Sequence, residues 1–302
     1  MPRAFIESLK KKGLIVDEVQ NPSPSLLKQL VKEYHVIVVR SSTNISSEII
    51  EAGERLRIIA RAGAGIDNID LDAAERRRVK VINVPEAVAN AVAELTLCLI
   101  LILVRGVHLG YRTLLKGYWI KHDLIGREID GMKIGVVGLG HIGSLVAKKL
   151  SLLGAKVLAY RRDRALLYAM AERHGYTPVE TLTKLVENSD LVTLHVPYTR
   201  DTHHLFNEKI LARFREGAYL VNTSRAWIVD GKALIKLLDN NTLEGVAIDV
   251  HYNEPPREEW EWRLIRHPRV IATPHIGAQT REAKARIASL LADKILAELD
   301  KL

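Results

Sequence analysis

At 302 residues the chain exceeds a single typical core and predicts two domains. Hydrophobic residues make up 47%, which excludes a disordered chain. A formal net charge of +8 admits nucleic acid as a partner, but the basic residues are scattered and aromatics are only 5%, so an anionic small molecule fits better than a nucleic-acid platform.

The chain opens MPRAFIESLKKKG, with no apolar run of signal-peptide length, so no export is expected. LIVDEV (14–19), HVIVVR (35–40), LRIIARA (56–62) and VKVINVP (79–85) predict strands. SPSLLKQLVKEY (23–34), SSEIIEAG (46–53) and LDAAERRR (71–78) predict the helices between them. Apolar strands alternating with helices imply a parallel sheet covered on both faces. Residues 90–109, NAVAELTLCLILILVRGVHL, predict one long buried helix that bridges domains or packs on a partner subunit. Its most apolar run, Leu95–Val104, is half the length of a membrane helix, so no membrane is expected. Cys98 lies in that run and is the single cysteine. It predicts a buried small hydrophobe and a reducing, cytoplasmic setting.

After the turn-rich GREIDGM (126–132) a second alternating series begins. MKIGVVG, AKVLAY (155–160), DLVTLHVP (190–197), AYLVNTSR (218–225), GVAIDV (245–250) and RVIATPH (269–275) predict strands. The final stretch, from Thr280, predicts an amphipathic helix. The fold class expected is α/β, with two doubly wound parallel-sheet domains.

GVVGLGHIG (135–143) gives the clearest chemical signal. Gly138-x-Gly140-x-x-Gly143 follows an apolar strand and opens a helix, the context that a dinucleotide phosphate turn requires. Gly138 permits the tight turn, Gly140 lets the backbone approach the pyrophosphate, and Gly143 lets helix and strand pack closely. The helix N-terminus offers unpaired N–H groups to the phosphates. The next strand ends AYRRDR (159–164), where such sites usually place an acid for the ribose hydroxyls. Arg161 holds that place, with Arg162 beside it. Both favour a 2′-phosphate and hence NADP, whereas Asp163, after a small backbone shift, would restore NAD.

Three polar residues follow later strands: Arg225 closes LVNTSR, Glu254 follows VAIDV, and His275 ends VIATPH. In an open parallel sheet, ligands bind beyond the carboxyl ends of the strands. A His near neutrality can take an alcohol proton as hydride leaves the carbon. A carboxylate orients it, and an Arg grips a substrate carboxylate by its fork.

With GLGHIG, NTSRAWIVDG, DVHYNEPP and TPHIGA in place, the sequence resembles the D-isomer-specific 2-hydroxy-acid dehydrogenases along nearly its whole length. The resemblance implies a flavodoxin-like substrate domain (1–89 plus 273–302), a Rossmann dinucleotide domain (90–272), and a cleft between them. It implies Arg225, Glu254 and His275 as catalytic residues. It implies cofactor contacts from Gly138, Gly140, His141, Ile142, Gly143, Arg161, Arg162, Asp163, His195, Val196, Pro197, Thr223 and Asp249, the last on the nicotinamide amide, and no metal. Ala226 stands where the family usually has Gly, and His251 where an aromatic is common. His251 is expected to be a strand-end packing residue.

VVRSST (38–43) and RAGAGIDNIDLDAA (61–74) are most similar to the phosphoglycerate-dehydrogenase subgroup. That likeness implies a substrate carboxylate held by the backbone at Ala62, Gly63, Ala64 and Gly65. It places the phosphate at Arg40 and Arg61, and Lys121 reaching the substrate across a homodimer. Long-form members carry a further regulatory domain after the last helix, and serine feedback of that kind is not expected here. Three functions follow in order: oxidation of 3-phospho-D-glycerate with NAD or NADP, NADPH-dependent reduction of glyoxylate or hydroxypyruvate, and a dinucleotide-sensing co-regulator on the same fold.

Overall fold

The strands of residues 133–272 are apolar on both faces, so only a covered parallel sheet can bury them. The computed structural model, which describes residues 3–301, builds that sheet. The chain forms two compact units: residues 1–90 with 278–302, and residues 91–277.

In the first unit α1 (Arg3–Lys11) and α2 (Pro24–Leu30) precede β1 (Val36–Val39). Then come α3 (Ser47–Ala52), β2 (Ile58–Arg61), α4 (Leu71–Arg76) and β3 (Lys80–Asn83). The sheet is parallel in the order β1-β2-β3. Its core joins Val39 and Ile59 to Ile49, Ile50, Ala73 and Ala74 of the helices. Residues 14–19 form no strand, contrary to the sequence expectation. Their pattern suits one, but among the described residues β1 pairs only with β2 and no ladder partner is offered, and Ile15 is left 89% exposed.

α5 (Pro85–Val104) carries the chain into the second unit, and α6 (Val107–Leu115) follows. The single helix expected over 90–109 therefore breaks. Gly106 turns left-handed at φ 62°, a conformation that suits glycine because it has no Cβ. Among the described residues α5 alone is long and apolar enough to cross a membrane, and most of it is buried within the protein. Cys98 is exposed rather than buried, because Leu99, Ile100 and Leu103 take the inward face of α5.

The second unit continues with β4 (Lys133–Val137), α7 (His141–Leu152), β5 (Lys156–Tyr160), α8 (Arg164–His174) and β6 (Thr177–Pro178). It proceeds through α9 (Leu182–Asn188), β7 (Leu191–Leu194), α10 (Glu208–Leu211), β8 (Ala218–Asn222) and α11 (Gly231–Asp239). It closes with β9 (Leu243–Ile248), α12 (Glu259–Arg266) and β10 (Val270–Ala272); α13 (Arg281–Leu299) returns to the first unit, where α1 packs on it. The sheet is wholly parallel, in the order β10-β9-β8-β7-β4-β5-β6. Strand order reverses between β4 and β7, the switch point where such sheets bind ligands.

Alternation along the strands divides the core. Ile134, Val136, Tyr219, Val221 and Ala247 face α5, α7 and α8. Val192, Leu194, Leu220, Val246 and Ile248 face α9 to α12. α11 shows how a covering helix is specified. Asp230 caps it by accepting from Lys232 and Ala233 N–H at 3.1 Å, and Leu234 and Leu238 then point inward, each worth about 1.5–3 kcal/mol when buried.

The second crossing between units falls at 277/278, a few residues later than the sequence suggests. Thr273 N–H donates to the Ile248 carbonyl, and Ile276 and Gly277 N–H donate to Asp249, so the turn after β10 belongs to the second unit.

Candidate active site

Register brings the candidate residues of the second unit to one sheet edge. Val137 pairs with Tyr160 and Leu194, Leu194 with Asn222, Asn222 with Ile248, and Ile248 with Ala272. The loops carrying Gly138, Arg161, His195, Arg225, Glu254 and His275 all leave from that edge.

Each glycine of the phosphate turn has a local reason. Gly138 has φ +93°, and a Cβ there would stand 2.7 Å from the His195 carbonyl. A Cβ on Gly143 would run into the Gly138 carbonyl. One on Gly140 would meet nothing within 4 Å, and no side chain caps α7 at Gly140. The Cβ side of Gly140 is thus open, and no side chain caps the helix start. The residues fit a dinucleotide pyrophosphate, which the helix N-terminus and the bare Gly140 would hold. His141 is exposed at the start of α7, and Ile142 is partly buried against the core.

The arginines separate. Gly138 N–H donates to the Tyr160 carbonyl, so residue 161 emerges beside the turn. Arg161 Nη1 donates to the Leu139 carbonyl at 2.8 Å, and its Nε is buried with no partner. Arg162 turns away to Asp201 at 3.1 Å, an exposed pair worth little. Asp163 accepts from Leu166 N–H at 3.0 Å as the cap of α8.

His195 Nε2 is hydrogen-bonded to Thr193 Oγ1 at 2.9 Å, and desolvation by burial pushes its pKa down to about 3. It is therefore neutral at working pH. The unfolded chain takes up this proton near pH 6.5 and the folded chain does not. Stability accordingly rises with pH across that window and is lost on acidification, at about 1.4 kcal/mol per unit. Urea unfolding of the parent should lose roughly 2 kcal/mol more between pH 7 and 5 than that of His195→Gln. Equal losses in the two proteins would show that His195 does not resist protonation. Val196 and Pro197 continue this loop, and the Val196 carbonyl accepts from Ser224 Oγ.

The turn bearing Arg225 is braced by Asn222. Its Oδ1 accepts from Ser224 N–H at 3.0 Å, and its Nδ2 donates to the Arg225 carbonyl at 2.9 Å. The Asn of NTSR is the local signal for this Asx turn. Half-buried Arg225 donates from Nη1 to the Ser224 carbonyl at 2.8 Å. Thr223 is buried and hydrogen-bonded to Thr96 of α5 at 2.8 Å.

His275 and Glu254 lie in hydrogen-bond contact. His275 Nδ1 lies 2.7 and 2.8 Å from the two Glu254 oxygens. Burial works to raise the Glu254 pKa, but the His275 hydrogen bond and charge, with the His251 backbone N–H, outweigh it and hold the carboxyl below its ordinary range. His275 sits at φ +52°, a left-handed conformation costing about 1–2 kcal/mol. Buried Asp249 secures that turn: it accepts from Thr273 Oγ1 at 2.6 Å and from Ile276 and Gly277 N–H at 2.8 Å. Its carboxylate is thus engaged within the protein, with acceptor capacity left over. His251 does more than pack, because its Nε2 reaches the Thr273 carbonyl at 2.9 Å.

In the first unit Arg40 is exposed just after β1, on a turn held by Asn68 Nδ2, which donates to the Arg40 and Thr43 carbonyls. Arg61 Nη1 folds back to the Ala62 carbonyl at 2.9 Å. Ala62 N–H donates to the Val39 carbonyl and Gly63 N–H to that of Arg61, whereas Ala64 and Gly65 N–H meet no backbone acceptor among the described residues. Gly63 needs its freedom, since its φ is +145° and a Cβ would strike the Arg61 guanidinium. Lys121 is exposed in a 3-10 turn of the second unit and joins none of the groups above.

A model of the D-isomer specific 2-hydroxyacid dehydrogenase, NAD binding domain, matches residues 97–277. The chain is 39% identical to a hydroxypyruvate reductase of Thermotoga maritima, across 90% of this chain and 87% of that one. It is 36% identical to a D-3-phosphoglycerate dehydrogenase of Methanocaldococcus jannaschii, across 89% of this chain but only 50% of that relative. Its structure is similar to that of D-lactate dehydrogenase from Aquifex aeolicus, solved with NAD and lactic acid, at TM-score 0.86 and 27% identity, covering 99% of this chain and 92% of that one. The strand-end pair, the glycine turn and these likenesses agree: the chain belongs to the D-isomer-specific 2-hydroxyacid dehydrogenase family and is an oxidoreductase of the two-domain Rossmann type.

Proposed function

We propose that the chain oxidises 3-phospho-D-glycerate to 3-phosphohydroxypyruvate, the first step of serine synthesis, with the second unit binding NAD(P) and the first binding substrate. The observation that carries the chemistry is the Glu254–His275 pair at the strand-end edge. A carboxylate only accepts, so Nδ1 of His275 carries the proton bound to Glu254, and Nε2 is the nitrogen left to take the proton of the C2 hydroxyl. Glu254 stabilises the imidazolium that results. A nicotinamide dinucleotide, which the glycine turn and the start of α7 would hold, would supply the hydride acceptor for C2. In the second unit, Arg225 is the side chain suited to a carboxylate; in the first, the backbone of Ala62, Gly63, Ala64 and Gly65 is suited to a carboxylate, and Arg40 and Arg61 to a phosphate.

Reduction of hydroxypyruvate or glyoxylate with NADPH is the second reading. It is supported by Arg161 at the glycine turn and by the nearly full-length likeness to a hydroxypyruvate reductase. The deciding measurement is kcat/KM for 3-phosphoglycerate, hydroxypyruvate and glyoxylate, each with both cofactors. The first reading expects at least a tenfold preference for the phosphorylated acid, and its absence selects the second.

Arg225→Lys should raise substrate KM and lower kcat, because an ammonium cannot reproduce the fork. Kinetics within about threefold of the parent, a change small enough to come from altered positioning alone, would put the grip elsewhere.

A homodimer completes the proposal. α5 is largely buried within the protein, so the apolar surface it needs lies on α6 and after it. α6 buries no residue, and Leu115 and Trp119 are 71% and 79% exposed beside Tyr111, Leu114 and Tyr118. Light scattering should give twice the 33.9 kDa chain mass, and Trp119→Asp should lower it. A parent that is monomeric at micromolar concentration contradicts the dimer. The single Cys98 fits a cytoplasmic location.

A further inference from the structure

The acid–base pair is split between two turns that the sheet does not hold. The last registered pair of β9 and β10 is Ile248 with Ala272; Glu254 lies six residues past the first and His275 three past the second. Asp249 fixes the turn of residues 273–277. The Glu254 turn has a tie of its own. His251 directs its backbone N–H to Glu254 Oε1 at 3.4 Å and its Nε2 to the Thr273 carbonyl at 2.9 Å. A carbonyl only accepts, so Nε2 bears the hydrogen. The same carbonyl accepts from His275 N–H at 2.9 Å. His251 and His275 therefore share one acceptor, and each is also bonded to Glu254.

We propose that His251 is a positioning residue: its Nε2–H bond to Thr273 clamps the Glu254 turn to the His275 turn and sets the geometry of the acid–base pair. A phenylalanine ring would fill similar space but has no N–H or O–H to donate there. The inference rests on the acid–base assignment of Glu254 and His275. It concerns the aim of two side chains whose carboxylate–imidazole contact is short and directional, where small displacements matter greatly.

Three variants test it. His251→Phe keeps a ring and removes the donor. His251→Gln keeps an amide N–H at the reach of Nε2. His251→Asn is polar but one methylene too short. The Phe and Asn variants should lose kcat on the order of ten- to a hundredfold, with cofactor affinity within about threefold of the parent. The Gln variant should stay within about threefold in both. A second readout needs no cofactor: in nitrogen-edited NMR, the His275 Nδ1 proton should exchange slowly in the parent and the Gln variant, and rapidly in the other two. A Phe variant with parental kcat and a protected proton overturns the clamp, as does a Gln variant that fails alongside Phe. If the Phe variant does not fold, Gln against Asn decides. Failure of the acid–base assignment looks different, because His275→Ala then stays active while the proton-exchange series still scores His251.

Discussion

His275→Ala should lower kcat by about a hundred- to ten-thousandfold while leaving NAD(P)H affinity near that of the parent. Among the described residues the imidazole is held at Nδ1 alone. Both Glu254 oxygens lie within 2.8 Å of Nδ1, which leaves Nε2 to exchange a proton with substrate. Truncation to Ala removes that proton acceptor and nothing that bonds the phosphate turn, whose contacts are made by Gly138, Arg161 and the first turn of α7. Loss of the ring leaves Glu254 as a half-exposed carboxylate that water can solvate, so the fold should persist. Glu254 adds a pH dependence of known sign. Its carboxyl is held below the ordinary range, so its contribution to stability is full above the unfolded value and fades as pH falls through the lowered one. Measuring kcat and NAD(P)H dissociation together separates the outcomes. Near-normal kcat removes His275 from the chemistry, and a matching collapse of cofactor affinity shows that the substitution damaged the unit instead.

How far the sequence could be read depended on whether a feature was local. The strands of the second unit were legible because each β-branched run is bounded by turn residues and buried on both faces, and the glycine turn because strand, spacing and helix adjoin in sequence. Arg225, Glu254 and His275 could be singled out because each follows a strand, and parallel register does the rest. Pairing is not local, so the apolar residues 14–19 could not announce that they lack a partner strand. Nor could Cys98 reveal which face of α5 it takes, since the whole segment is apolar and the inward stripe is set by the sheet beneath it. The break at Gly106 carried a signal, a glycine within an otherwise continuous pattern. So did Asp163, standing directly before a helix, where a capping role was the local reading. His251 gave none, because its partner Thr273 lies on the neighbouring strand end.

Arg161→Asp should shift the ratio of kcat/KM for NADP to that for NAD by more than tenfold toward NAD, from a parent that accepts NADP at least as well. The three polar residues after β5 have different duties. Asp163 caps α8 through Oδ1, and Arg162 reaches exposed Asp201. Arg161 alone turns to the glycine loop, where it donates to the Leu139 carbonyl. Its Nε is buried without an acceptor, a state that costs about 1–3 kcal/mol and that an anionic oxygen would relieve. A charge-assisted bond to a 2′-phosphate is worth about 1.5–3 kcal/mol, roughly a ten- to hundredfold preference. An aspartate at 161 reverses both sides of the comparison, since it accepts from the ribose hydroxyls and repels the phosphate. Arg162→Ala serves as the control and should leave the ratio within about twofold, because an exposed ion pair contributes little. A parent that prefers NAD more than tenfold, with a ratio unmoved by Arg161→Asp, would mean that this guanidinium braces the loop and leaves cofactor choice to other residues.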